Sequence, residues 1–191
     1  MLELRVHGRG GQGVVVGSAI LGKAYFIENK SVQFFPEFGV ERRGSPVQAF
    51  LRVSEDKIRC NYSISEPDNI ILFDESLLNS VDIAKGIKNN GWILINSKKK
   101  PECFHFDANC RVATIDADGI SLANGLGTET APIINAAMTG AFAGLLGDLP
   151  VESIAAAIHS SVPARPDKNE AAAREAFYKI KFGAIKQKAV V

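Results

Sequence analysis

The residues with the clearest chemical potential stand in one run near the start of the chain, Gly8-Arg9-Gly10-Gly11-Gln12-Gly13. Glycines between a strand and a helix let another backbone or a phosphate approach closely, and they leave amide groups pointing out of the helix N-terminus. The partial positive charge there, reinforced by Arg9, suits an anion. The spacing fits GxGxxG, but the next strand ends in Phe34-Phe35-Pro36, with no acidic residue at its end to hold a ribose hydroxyl; Glu37 follows only after the proline. A GxxxxGKS or GxxxxGKT run is absent, which removes the P-loop reading. Nucleotide binding, contact with phosphate or pantetheine, and a packing or subunit-facing turn stay open for this loop.

A second stretch, Phe35-Pro36-Glu37-Phe38-Gly39-Val40-Glu41-Arg42-Arg43-Gly44-Ser45-Pro46, gathers aromatics, arginines and rigid turn residues into one connection. Aromatic and Arg side chains anchor interfaces, and Pro with Gly fixes the shape of a loop. Arg42 and Arg43 either pair with Glu37 and Glu41 inside the loop or face a ligand or partner. Other reactive residue types are scattered. His7, His105 and His159 lack metal-ligand spacing, and Cys60, Cys103 and Cys110 form no CxxC, so they suggest buried or half-buried thiols rather than a disulfide framework or a metal site. Asp74, Asn96 and Asp116 end short apolar runs, where α/β folds place ligands. No Gly-x-Ser-x-Gly turn or nucleophile–base set supports a stand-alone hydrolase or transferase.

These residues need a scaffold to hold them, and hydrophobic patterning supplies one. Leu2, Leu4 and Val6 alternate with polar residues and predict a strand that enters the glycine loop, and 14–27 predicts a helix with small Gly17, Ser18 and Gly22 for close packing on a sheet. Strands are expected at 31–35, 47–53, 70–73, 92–95 and 111–115, the last three as buried strands of a parallel sheet. Helices are expected at 77–88, 131–146, 151–160 and 169–186. Such alternation predicts an α/β fold: three layers, a mostly parallel sheet with helices on both faces, Rossmann-like, in one domain spanning 1–191. The segment 165–188 carries seven Lys or Arg against three Asp or Glu and is expected as an amphipathic helix across the domain.

Composition sets the outer bounds. With 191 residues, 46% hydrophobic, the chain can fill one substantial core, and a net charge of +1 gives no whole-molecule attraction for nucleic acid or an anionic membrane. No apolar run reaches the roughly 18–20 residues of a spanning helix, and no secretory n- and h-region opens the chain, so a soluble, cytoplasmic protein is expected.

The two loops together carry a specific resemblance. Arg9-Gly10-Gly11-Gln12-Gly13-Val14-Val15, followed at the end of the next strand by the run from Val32-Gln33-Phe34 through Glu41-Arg42-Arg43-Gly44-Ser45-Pro46-Val47, resembles the signature of gamma subunits of pyruvate and related 2-oxoacid:ferredoxin oxidoreductases. The likeness extends more loosely through Asn135-Ala136-Ala137-Met138-Thr139-Gly140-Ala141, and the Glu-Arg-Arg-Gly form resembles pyruvate and branched-chain enzymes more than 2-oxoglutarate enzymes. The resemblance implies conversion of a 2-oxoacid, coenzyme A and oxidised ferredoxin to acyl-CoA, carbon dioxide and reduced ferredoxin. It implies thiamine diphosphate, magnesium and iron–sulfur clusters on partner alpha, beta and delta chains, none of them bound by this chain, which lacks cysteine clusters and a Gly-Asp-Gly with paired asparagines; Gly147-Asp148 runs on into Leu149-Pro150. An architectural subunit, inactive alone, is expected. Arg9, Gly10, Gly11, Gln12, Gly13, Glu41, Arg42 and Arg43 would face coenzyme A, another anion or a partner subunit, and Phe35, Pro36 and Phe38 would form an interface.

Overall fold

The computed structural model describes residues 1–37 and 44–182, so the expectations placed on Phe38, Glu41, Arg42 and Arg43 lie outside the described residues. A seven-stranded sheet runs in the order β2-β3-β1-β4-β5-β6-β9, built from β1 (Leu2–Arg9), β2 (Ser31–Glu37), β3 (Pro46–Ser54), β4 (Asn69–Leu72), β5 (Trp92–Asn96), β6 (Arg111–Ile115) and β9 (Lys181–Phe182). Strands β1, β4, β5 and β6 are parallel neighbours and form the centre. The hairpin β2–β3 adds to β1 antiparallel, and β9 closes the other edge antiparallel to β6. A small hairpin, β7 (Gly127–Thr128) with β8 (Ala131–Pro132), lies outside this sheet.

Period-two alternation divides the central strands between two cores. Leu4, Val6, Ile71, Leu94 and Ala113 point to one face, where they meet α1 (Val14–Ile27), α2 (Ala117–Ala123), α3 (Asn135–Leu146), α4 (Val151–Ser161) and α5 (Pro166–Lys179). Ile70, Leu72, Ile93 and Ile95 point to the other. There the cover differs from expectation: 77–88 is not an α-helix but a 3-10 turn at Glu75–Asn79 followed by further turns, with Leu77, Ile83 and Ala84 on the sheet. Its carbonyls have tertiary partners. Arg5 Nη2 donates to Ile83 O at 3.0 Å and Lys85 O at 2.6 Å, and Gly86 takes a left-handed φ of 76° that ends any helical run.

The helical layer depends on close backbone approach. A Cβ added to Gly140 in α3 would lie 2.0 Å from Ala173 O, and one on Gly144 would lie 2.3 Å from Phe177 O, so α3 and α5 meet through glycine and the buried Ala172, Ala173 and Ala176. Helix α5 ends at Lys179, earlier than expected, and the chain re-enters the sheet as β9, where Phe182 packs edge-on to Trp92 at 5.8 Å.

Candidate functional site

The glycine loop is the turn from β1 into α1, at the end of the sheet where the parallel strands finish. Gly13 caps α1 with a left-handed φ of 78° and no side-chain acceptor, and a Cβ there would lie 3.0 Å from Asn135 Nδ2 at the start of α3. The two helix N-termini therefore meet across this glycine. Gly8 must also lack a side chain, since a Cβ would meet Val14 Cγ2 at 2.4 Å.

The loop is held by Asp74, just past the end of β4. Asp74 Oδ2 accepts from Arg9 Nε at 3.0 Å and from Gln12 Nε2 at 2.9 Å, while Asp74 Oδ1 accepts from the Ser76 N–H at 2.9 Å. Gln12 Oε1 in turn accepts from the Arg9 N–H at 2.8 Å. The Arg9 guanidinium also donates to Ser76 Oγ from Nη2 at 2.8 Å and to Gly44 O from Nη1 at 3.0 Å. Backbone bonds tie the same places together: Gly10 N–H to Ser45 O at 2.9 Å and Gly44 N–H to Gly10 O at 3.1 Å. Gly44 and Ser45 are where the 38–43 segment rejoins the described chain, so the glycine loop and the base of the second loop form one unit.

Electrostatics follow from these contacts. Burial pushes the Asp74 carboxyl up, but the Ser76 and Gln12 side chains, the Ser76 amide and the Arg9 guanidinium together outweigh it and hold the group below its ordinary range. Arg9 thus faces an ionised carboxylate, and the pair is locally neutral. One residue on, Glu75 is held low by Lys99 and by the Ser97 hydroxyl.

Phe35 and Pro36 sit at the same end of the sheet as Arg9 but two strands away, since Pro36 pairs with Ala49 and Arg9 with Pro46. Both are half-buried. Phe35 stacks on Phe50 with ring centroids 5.1 Å apart, and the guanidinium of the fully buried Arg52 lies 5.6 Å from its ring. Asn96 and Asp116, flagged at strand ends, have internal roles: Asn96 donates to Phe73 O and accepts from the Ala117 N–H, and Asp116 caps α2 through the Gly119 N–H. Asp74 is the strand-end residue that the fold brings to the loop. Ser76 and Asn135 complete the site; a hydroxyl two residues past a strand-end Asp was the only sequence signal for the first, and the second lay in the looser part of the resemblance.

Among the described residues, no group of three or more His, Cys, Asp or Glu is placed to hold a metal ion, and Cys60, Cys103 and Cys110 lie on separate segments. The donor set for an iron–sulfur cluster is therefore not assembled here. Nor is any described helix long and apolar enough to cross a membrane.

Residues 3–178 match the family model described as pyruvate ferredoxin/flavodoxin oxidoreductase. The chain is 44% identical over 182 residues to the pyruvate synthase subunit PorC of Methanothermobacter marburgensis, covering 95% of this chain and 98% of that one. It is 44% identical over 183 residues to the pyruvate/ketoisovalerate oxidoreductases common subunit gamma of Pyrococcus abyssi, covering 94% and 97%. The crystal structure of pyruvate oxidoreductase subunit PORC from Thermotoga maritima superposes with a TM-score of 0.82 at 31% identity, over 96% of this chain and 98% of that one. With its glycine loop stitched to the end of β4 and its length shared with these subunits, the chain belongs to the pyruvate ferredoxin/flavodoxin oxidoreductase family.

Proposed function

We propose that this chain is the gamma-type subunit of a pyruvate:ferredoxin oxidoreductase, acting as one unit over 1–191 in a cytoplasmic complex with alpha, beta and delta chains. The complex oxidatively decarboxylates pyruvate to acetyl-CoA and carbon dioxide and passes the electrons to ferredoxin. Thiamine diphosphate, magnesium and the iron–sulfur clusters belong to the partner chains in this reading. The observation that carries it is the near full-length 44% identity to subunits of pyruvate-handling oxidoreductases. A second reading has a specific support: the Pyrococcus relative is named as common to pyruvate and ketoisovalerate oxidoreductases, so one gamma chain serving two 2-oxoacid enzymes is the alternative.

Within the complex, the glycine loop and the 35–46 stretch form the face toward coenzyme A and the partner chains. The N-terminus of α1, without a side-chain cap, suits a phosphate, and Gly44 and Ser45 are bonded to Gly10 beside it. Val16, 42% exposed, and Ile133, 46% exposed, lie within three residues of the Gly13–Asn135 approach and give that face apolar surface for a partner. In this reading Phe35 and Pro36, half-buried at the end of β2, belong to the interface with a partner chain. The test is anaerobic capture of the tagged chain: larger chains bearing thiamine diphosphate and iron–sulfur clusters should co-purify, with pyruvate- and coenzyme A-dependent ferredoxin reduction. Repeated recovery of the chain alone and inactive would refute the reading and favour an independent small-ligand domain.

A further inference from the structure

We infer that the outer edge of β2 is a docking site for an extended segment of a partner chain, one whose side chains alternate between apolar and acidic. The inference rests on the proposed assembly with larger chains and uses none of the glycine-loop residues.

Two bonds fix which way each backbone group in this half of the sheet points. Asp68 N–H donates to Glu3 O and Phe73 N–H to His7 O, both at 2.8 Å, so the odd residues of β1 face β4 and the even ones face β3. Leu4 pairs with Leu51, which therefore faces β1; its neighbours Phe50 and Arg52 face β2, and their partners Phe35 and Gln33 face back. The alternate residues Val32 and Phe34 turn their N–H and C=O groups outward, and Pro36, which has no N–H to pair, falls at the next outward position. Among the described residues, no strand lies beyond β2 and no hydrogen bond reaches the Val32 or Phe34 backbone. Free donors and acceptors along an edge recruit another strand, and Pro36 confines that pairing to the first half of β2.

A cleft of about 630 Å³ opens over that half. Phe26 and Val32 line it from the α1 face of the sheet, and Gln33, Lys57 and Ile58 line it from the opposite face, so the strand edge is its floor. Phe26 is 69% exposed. No carboxylate lines the cleft; Lys30 pairs with Glu55 outside it, and Lys57 has no acidic partner among the described residues. An added strand sends alternate side chains to the two faces. Those on the α1 side meet Phe26 and Val32 and suit apolar groups, whereas those on the other side meet Lys57 and are matched by a carboxylate. A second copy of β2 would bring Ser31, Gln33 and Phe35 to one face and Val32, Phe34 and Pro36 to the other, with no carboxylate in either set, so charge favours a different chain.

The experiment uses the full chain, alone and assembled with the partner chains. The Val32 and Phe34 amides should exchange hydrogen freely in the isolated chain and slow about tenfold or more on assembly, while the inward Gln33 and Phe35 amides are protected in both. Phe26→Ser and Lys57→Glu change exposed side chains, so the urea midpoint should hold; each should weaken binding of the partner chains about tenfold, and the Lys57→Glu loss should shrink in high salt. An assembled complex in which Val32 and Phe34 exchange as fast as in the isolated chain overturns edge docking and leaves the subunit reading standing. Slowed amides with undiminished binding of both variants overturn the alternating apolar and acidic pattern. Protection that grows with the concentration of the isolated chain, together with a dimer's mass, gives the edge to a second copy and overturns the inference as well. Failure to bind any of the larger chains overturns the subunit reading and this inference with it.

Discussion

Acidification should weaken this fold through one buried imidazole, and His7→Gln should remove that weakness. His7 lies on β1 just before the glycine loop, 3% exposed, with its Nε2 accepting from Arg5 Nε at 3.0 Å. Burial, and then the neighbouring Arg5 charge, push its pKa down from 6.5 to about 3. The folded state therefore keeps a neutral ring while the unfolded chain takes up a proton below pH 6.5. The stabilisation by neutral His7 is fully present above that pH and is lost as the pH falls toward about 3. At about 1.36 kcal/mol per pH unit, the whole interval is worth about 5 kcal/mol, and the part above pH 5 about 2 kcal/mol. Gln keeps an acceptor for Arg5 and does not titrate. Urea unfolding of the purified chain at pH 7 and pH 5 should show wild type losing about 2 kcal/mol more than His7→Gln between the two. Every other titrating group is common to both proteins, so the difference isolates His7. Equal losses would refute the reasoning, since the ring would then have to accept a proton in the folded state.

Three further substitutions test the packing around the site. Gly140→Ala drives a methyl into Ala173 O and should cost about 3 kcal/mol or unseat α5, read as a fall in the urea midpoint, whereas Gly147→Ala, with φ 68° and nothing within 4 Å, should cost only about 1 kcal/mol. Arg52→Ala strips partners from Glu3, Gln33 and Tyr62 O around a fully buried guanidinium; it should destabilise by about 3–5 kcal/mol and open the 57–63 segment to limited proteolysis before the rest of the chain.

The parts of this fold that were legible in the sequence are those fixed by local pattern. Leu2, Leu4 and Val6 alternate, the glycines follow, and an apolar helix follows them; β1, the loop and α1 stand where that pattern puts them. The α/β class, the parallel strands β4, β5 and β6, and α4 also followed from runs of apolar residues. What failed was decided at a distance. The apolar spacing of Leu77, Leu78, Val81, Ala84 and Ile87 suits a helix, yet Arg5, some 80 residues earlier, takes the carbonyls at 83 and 85. The start of α3 was set too early because 131–134 is shared between β8 and the turn into Asn135. Short α2 and β9 leave too little period to read. The site divides the same way: its glycines and Arg9 announce themselves, whereas the bonds from Asp74 to Arg9 and Gln12 span more than 60 residues and exist only once β1 and β4 lie side by side.

If this chain works as part of a 2-oxoacid oxidoreductase, leaving it out should abolish the activity. Partner chains assembled anaerobically with and without this subunit would be assayed for ferredoxin reduction dependent on both pyruvate and coenzyme A. Activity should appear only when this chain is present and saturate at a fixed ratio of it to the thiamine-bearing chain. Equal activity in its absence would show that this chain is no part of the working enzyme.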